Sequence, residues 1–327
     1  MKDLVTGATG FIGSHLVRSL VEEGRQVRAL VRRGGDSDAL RAIGVDVVQG
    51  DIIHPDTLPR ALEDVGQVFH CAALVSDWGA WEDFRLANVV GVENVLGAAT
   101  NAGVQRFIHL STTDVYGFPR RPDGEDQPFV YRGWPYGDTK IEGEKAVWRY
   151  HRNHGLPVTV IRPANVYGVG SRSFVLEIGQ LLKQGEMIRL GRGRPSAGLC
   201  SVQNLVTCIL LAARTESAVG QAYNVTDDSP VSWSEFIDLL ADRTGYEGPR
   251  VTLPRRVAYL AGALLEKAGN PARTGSRPLL TRMAVELFTA DQSFSIAKAR
   301  RDLGYRPSGS PAEAMDDMAA WLVQEVT

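Results

Sequence analysis

Tyr136 and Lys140 stand at i and i+4, directly after Pro135, where a helical pattern running from Tyr136 to His154 begins. That spacing puts both side chains on one helical face. A free phenol titrates near about 10, too high for a base at neutral pH. A neighbouring ammonium stabilises the phenolate, so Lys140 is expected to lower the pKa of Tyr136. Tyr136 can then exchange a proton with a substrate hydroxyl or carbonyl. A run of hydroxyls, Ser111-Thr112-Thr113, closes the apolar strand Phe107 to Ser111. Consecutive strand residues point to opposite faces, so Ser111 and Thr112 compete for the place that faces a reacting oxygen. Asp114, next in line, either caps the loop or reaches the substrate, and the capping role is the one expected.

A second constellation lies at the amino end. Gly7, Gly10 and Gly13 follow the apolar run Asp3-Leu4-Val5 and open a helical stretch from Ile12 to Glu23. The three glycines permit, in turn, a tight bend out of the strand, close approach to a pyrophosphate, and close helix–sheet packing. Phosphates would sit at the helix N-terminus, where free N–H groups and the dipole favour negative charge.

The elements that must position these residues alternate. Strands are expected at Val27 to Val31, Val45 to Gln49, Val65 to His70, Phe107 to Ser111 and Val158 to Ile161. Helical stretches between them run from Asp38 to Ile43, Pro55 to Asp64 and Trp81 to Ala102. That order implies an α/β chain built on a parallel, doubly wound sheet. After about Gly168 helices dominate: Phe174 to Lys183, Asn204 to Arg214, Ser234 to Thr244, Arg256 to Ala268 and Pro311 to Gln324, with Gln221 to Val225 as a short strand. Ser310 and Pro311 suit the N-cap and first turn of the last helix. The expected division is a dinucleotide-binding Rossmann domain over residues 1–168. A smaller, mostly helical and mainly substrate-binding part over residues 169–327 crosses back to it. Gly191 to Arg194 and Gly269 to Pro278 read as loops. The apolar run Val257 to Leu265 is either a lid over a hydrophobic substrate or core, core being the first reading. Trp78 and Trp81 are pocket rim or core. His151 and His154, at the arginine-rich end of their helix, read as solvated.

Composition narrows the classes. The chain has 327 residues, and 36 Lys and Arg stand against 38 Asp and Glu for a net charge of −2. Without a basic excess or stripe, a nucleic-acid partner is not expected. Cys71, Cys200 and Cys208 form no CxxC pair, so neither a disulfide framework nor a cysteine zinc site is expected, and no metal site is assigned. No apolar run reaches the roughly 18 residues of a membrane span. Met1-Lys2-Asp3 leads straight into a strand, with no cleavable leader expected. The expectation is a cytoplasmic protein.

The stretch Thr6-Gly7-Ala8-Thr9-Gly10-Phe11-Ile12-Gly13 resembles the extended short-chain dehydrogenase/reductase superfamily. The likeness spans nearly the whole chain. It implies that Gly7, Thr9, Gly10, Phe11, Ile12 and Gly13 hold a dinucleotide. It also implies that Asp51-Ile52 packs on adenine and that Ala72 and Ala73, after His70-Cys71, form the cofactor wall. Arg162-Pro163-Ala164-Asn165-Val166-Tyr167-Gly168 resembles the superfamily's RPxxVYG, which puts Pro163 and Val166 on the nicotinamide. Ser111-Thr112-Thr113-Asp114-Val115-Tyr116-Gly117 matches S-[ST]-x-x-VYG, so Thr112 is the implied catalytic hydroxyl beside Tyr136 and Lys140. Lys140 would also hold the nicotinamide ribose. Asn88 matches an asparagine that orders a water near the lysine in many relatives, or is an ordinary helical asparagine. Val31 stands where NAD-type relatives carry aspartate, and Arg32-Arg33 follow it. A guanidinium pairs with a 2′-phosphate, so NADP is the expected cofactor, with NAD the alternative.

Within that superfamily the tail is similar to the 3β-hydroxysteroid dehydrogenase branch, on Leu253-Pro254 and on Phe294 to Tyr305. The expected reaction is hydride transfer between a ketone and a secondary alcohol of a hydrophobic, sterol-like or 3-ketoacid-like molecule. The alternative is a nucleotide-sugar epimerase or dehydratase with tightly bound NAD. There the diphosphate-gripping arginine and the aspartate of the usual motif are replaced by Ala197 and Asn204, although Arg192 or Arg194 could compensate. An inactive nucleotide-binding scaffold is disfavoured by the intact Thr112, Tyr136 and Lys140. A homodimer through the helices Trp81 to Ala102 and Tyr136 to His154 is implied by the resemblance.

Overall fold

The apolar runs of the amino-terminal half are strands buried on both faces, as continuous runs in a parallel sheet require. The computed structural model describes residues 1–119, 122–191, 193–269 and 277–326. Along the chain these are β1 (Lys2–Thr6), α1 (Phe11–Glu22), β2 (Val27–Val31), α2 (Asp38–Ala42), β3 (Asp46–Gln49), α3 (Leu58–Ala61) and β4 (Val65–His70). Then come α4 (Trp81–Arg85), α5 (Gly91–Asn101), β5 (Arg106–Leu110), α6 (Pro135–His154), β6 (Val158–Pro163), β7 (Asn165–Tyr167), α7 (Glu177–Gln184), β8 (Ile188–Leu190) and β9 (Leu199–Ser201). The rest are α8 (Val202–Arg214), β10 (Gln221–Val225), α9 (Trp233–Thr244), β11 (Val251–Leu253), α10 (Arg255–Ala268), α11 (Arg282–Thr289), α12 (Ala297–Leu303) and α13 (Pro311–Val326).

Seven strands make one parallel sheet in the order β10-β6-β5-β4-β1-β2-β3. The strand order reverses beside β1, so the crevice outside the carboxyl ends of β1 and β4 is the place for a ligand. Leu16, Val17 and Leu20 of α1, with Leu205 and Ile209 of α8, cover one face. Ala61 of α3, Val95 and Leu96 of α5 and Ala146 and Val147 of α6 cover the other. The second half of the chain returns to this sheet: β10 is its seventh strand, and Ala299 and Leu303 of α12 join the first core. A separate core gathers Trp233 and Phe236 of α9, Ile178 and Leu182 of α7, and Met315, Met318 and Leu322 of α13.

The expected helix over Trp81 to Ala102 is present but interrupted. Residues Leu86–Val90 between α4 and α5 widen into a π-helical turn centred on Asn88. A Cβ on Gly143 of α6 would stand 2.3 Å from the Asn88 carbonyl oxygen. The absent side chain therefore lets α6 press on the widened turn. Ser310 caps α13 as expected: the Glu313 N–H donates to its Oγ at 3.3 Å, and the Ser310 N–H donates to Glu313 Oε2 at 2.9 Å.

The core reading of Val257 to Leu265 does not hold. Leu260 and Leu264 are 66% and 69% exposed, and Val257 and Leu265 are exposed as well. The small residues Ala258 and Gly262 form the packed side of α10, and a Cβ on Gly262 would lie 3.1 Å from the Arg282 nitrogen. His151 is not solvated either: it is half-buried, and its Nδ1 lies 2.8 Å from the Leu156 carbonyl. Trp81 is exposed, whereas Trp78 is partly buried at the end of α10, against Gly269. Arg192, and residues 270–276 of the expected second loop, lie outside the described residues. No helix among the described residues is long and apolar enough to cross a membrane.

Candidate active site

The turn from β1 into α1 needs glycine for two measurable reasons. Gly7 has φ +71°, and a Cβ on it would come within 2.7 Å of the Ala72 nitrogen, in the chain leaving β4. A Cβ on Gly13 would stand 2.1 Å from the Gly7 carbonyl oxygen. Gly10 is the extended N-cap of α1 and supplies no side-chain cap. The first N–H groups of the helix therefore face outward beside exposed Thr9 and Gly10. Phe11 and Ile12, partly buried, begin the helix.

The other residues expected to surround a dinucleotide lie at the carboxyl ends of neighbouring strands. Arg32 and Arg33 follow β2, exposed and without an ion-pair partner among the described residues. Asp51 follows β3, where its Oδ1 accepts from the Ile53 N–H at 3.1 Å. Ile52 packs on Gly91. Ala72 and Ala73 follow β4, and the Ala72 N–H donates to Thr6 Oγ1 at 3.3 Å. Pro163 ends β6 and Val166 lies on β7.

Beyond β5 the chain turns through Thr113–Tyr116, with Thr112 as N-cap accepting from the Asp114 N–H at 3.2 Å. Thr112 favours the ionised form of both the Tyr136 phenol and the Asp114 carboxyl, an effect smaller than that of burial. Ser111 points the other way, its Oγ donating to Glu144 Oε2 at 2.7 Å. The alternation of the strand end thus separates the two hydroxyls, and Thr112 is the one at Tyr136. The electrostatics correct one expectation. Burial, with the negative charge of Asp114, pushes the Tyr136 phenol up rather than down, against a smaller opposing effect of Thr112. Lys140, whose Nζ donates to the Leu110 carbonyl at 2.7 Å, is felt electrostatically at His70, Cys71 and His109 and not among the causes acting on the phenol. Burial holds the Lys140 ammonium down to about 8, with Glu144 opposing. Burial raises Asp114 to about 6.

Three supports around this site are less evident in the sequence. Asn88 Nδ2 donates to the Leu74 carbonyl at 3.0 Å and to Thr139 Oγ1 at 3.2 Å. Its Oδ1 accepts from the Leu74 N–H at 2.8 Å. It is a clamp between the loop after β4 and α6. Glu144 is fully buried and paired with Arg162, whose Nη1 donates to the Tyr116 hydroxyl at 2.6 Å. The signal for Glu144 was its place four residues beyond Lys140, on the same helical face. His70 and His109, register partners on β4 and β5, stack with centroids 5.6 Å apart. Burial, aided by Lys140, holds His70 down to about 3 and His109 far below its ordinary range.

Comparison with known proteins matches residues 4–226 to the NAD dependent epimerase/dehydratase family. The chain belongs to that family. Among curated members of similar sequence is a 4-hydroxy-2-methyl-3-oxo-4-farnesyl-3,4-dihydroquinoline-1-oxide ketoreductase of Stigmatella aurantiaca, 31% identical over 97% of this chain and 95% of the relative. A 2-alkyl-3-oxoalkanoate reductase of Stenotrophomonas maltophilia is 30% identical over 98% of this chain and 99% of its own. A 3 beta-hydroxysteroid dehydrogenase/Delta 5→4-isomerase of Mycobacterium tuberculosis is 32% identical over 98% and 90%. A UDP-glucuronic acid 4-epimerase of Bacillus cereus, solved with UDP-glucuronic acid and NAD, shares the fold: TM-score 0.81 at 23% identity, covering 99% of this chain and 100% of that one. This member of the epimerase/dehydratase family is an enzyme of the extended short-chain dehydrogenase/reductase type. The turn residues fit the family's dinucleotide, since glycine at 7 and 13 lets the turn close against the chain leaving β4 and onto α1, and no side chain caps the N-terminus of α1.

Proposed function

We propose that this enzyme is an NADP-dependent oxidoreductase. It interconverts a ketone and a secondary alcohol on a hydrophobic, sterol-like or 3-ketoacid-like substrate. The observation that carries this reading is the Thr112 hydroxyl set against a Tyr136 phenol that burial keeps protonated. A protonated phenol is the form that delivers a proton to a carbonyl oxygen, so reduction is the favoured direction. Thr112 hydrogen-bonds that oxygen and orients it. Gly7, Thr9, Gly10, Phe11, Ile12 and Gly13 would hold the pyrophosphate, and Lys140 the nicotinamide ribose. Asp51 and Ile52 would meet adenine, with Ala72, Ala73, Pro163 and Val166 walling the remaining length. When bound, the nicotinamide supplies or accepts the hydride. Arg32 and Arg33, exposed after Val31, support the phosphorylated cofactor. Ala197 is fully buried, and Asn204 is bound to Asp227 and Ser308, so neither serves a nucleotide sugar.

The test is NADPH oxidation, against NADH, with a panel of apolar ketones. Tyr136→Phe is expected to lower kcat by about 10²–10⁴-fold while cofactor binding persists. Retained turnover would overturn the assignment. Arg32→Ala is expected to erase the NADPH preference, and an unchanged NADPH/NADH ratio refutes the NADP reading. A cytoplasmic homodimer through the stretch Trp81 to Ala102, which holds α4 and α5, and through α6 belongs to the same proposal, with light scattering as the check on the dimer.

A further inference from the structure

α10 presents its small residues to the protein and its large apolar ones to solvent. Ala258 packs with Val285 of α11 and Leu190 of β8, and Gly262 is the other buried position of the helix. Val257, Leu260 and Leu264, spaced i, i+3 and i+7, form an exposed row, with Leu265 exposed at its edge. Steps of four, four and three residues also set Arg256, Leu260, Leu264 and Lys267 in line along the helix. Both cations are exposed and without an ion-pair partner among the described residues. Glu266, the one acid of α10, is turned to Arg282, whose Nε donates to it at 2.6 Å. The exposed face is therefore an apolar row with a positive charge at each end. The helix finishes against the loop that leaves β4 beside the site. Trp78 of that loop lies against Gly269, just beyond α10. Exposed Leu279 stands between Arg277 and Thr281, and both donate to the Asp77 carboxylate of the same loop.

We propose that α10 docks this enzyme on an anionic lipid bilayer. The helix lies in the plane of the interface, with Val257, Leu260 and Leu264 at the acyl boundary and Arg256 and Lys267 among the headgroups. At 14 residues it is too short to cross a bilayer, whereas one apolar face flanked by cations suits a helix that lies on it. Burial of the row supplies the apolar part of the attraction. Each cation at the headgroups adds about fivefold to the partition between water and membrane. A second copy of this chain fits the face less well. Packed antiparallel through the row, Arg256 would oppose the partner's Lys267; packed parallel, each cation would oppose its own counterpart. Like charges facing each other in an interface repel, while lipid phosphates attract both. The inference does not depend on the ketone–alcohol reading, because lipid binding needs no turnover. Under that reading, the bilayer is also where an apolar substrate concentrates.

The test is sedimentation of the full chain with vesicles of phosphatidylcholine alone, or of phosphatidylcholine and phosphatidylglycerol in equal parts. The protein is expected to sediment with the mixed vesicles and to be released as added salt screens the charges. Leu260→Asp combined with Leu264→Asp is expected to lower the partition coefficient by about tenfold or more. Arg256→Gln combined with Lys267→Gln is expected to lower it about 10- to 30-fold on the mixed vesicles. All four side chains are exposed, so both variants are expected to melt like the parent. The inference is overturned if the parent stays in the supernatant with both vesicle types, or sediments equally with both. Binding that either variant leaves unchanged also overturns it. A dimer seen in light scattering and dissociated by the aspartate variant, without vesicle binding, assigns the face to a second copy instead. Ketone reduction is assayed separately, so its failure would count against the proposed reaction and leave the lipid result standing.

Discussion

Tyr136 shows how far residue type carries and where it stops. The i, i+4 spacing put Lys140 on its face, but whether the ammonium acts on the phenol depends on where the folded chain places the lysine's charge. Its Nζ donates to the Leu110 carbonyl and its charge is felt at His70 and His109, while burial and Asp114 govern the phenol. Asp114 yields a prediction at this scale. Its pKa, raised by burial from 3.8 to about 6, means the folded state holds the proton more tightly than the unfolded chain. Stability is therefore lost as pH rises through that window. Asp114→Asn removes the cost and should stabilise the protein by about 1–3 kcal/mol at pH 8 and by nothing near pH 3.5. Thermal melts at the two pH values check this. Thr112 was picked out by its motif, and what sets it apart from Ser111, since both hydroxyls are chemically able, is that Glu144 takes the Ser111 hydroxyl.

The elements were legible in kind, since periodicity depends on neighbours along the chain. β2 and β4 span the residues the pattern indicated, and α6 begins at Pro135, one residue earlier. The π-helical turn was not legible, because its cause is a contact with another helix. Asn88 clamps Leu74 from within it, and Gly143 admits its carbonyl. Gly143→Ala should therefore destabilise by about 1–3 kcal/mol through overpacking against backbone, read as a lower Tm. The Glu144–Arg162 pair ties α6 to β6 under the site. Glu144→Ala leaves Arg162 buried and unpaired, and a loss of about 3–5 kcal/mol in a denaturant titration is expected.

At the scale of the whole molecule, the order of the sheet brings the ends of β1, β4 and β5 together, and α6 delivers Tyr136 to them. Among the later helices α10 and α11 contribute Ala258 and Val285 to a small core with Leu190, α8 and α12 complete a core of the sheet, and α7, α9 and α13 form another. Leu322, fully buried in the last of these against Gly179, tests that core. Leu322→Ala should cost about 2–5 kcal/mol in chemical denaturation. The sequence by itself determined the α/β alternation, the glycine turn and the residues able to move a proton, because each rests on local backbone freedom or on motif spacing. Only the tertiary structure decided that α10 turns its large apolar side outward. It alone decided that Ser111 serves Glu144. These outcomes depend on which surfaces meet across the chain, and burial, which sets the charges of Tyr136, Lys140 and Asp114, exists only once they have met.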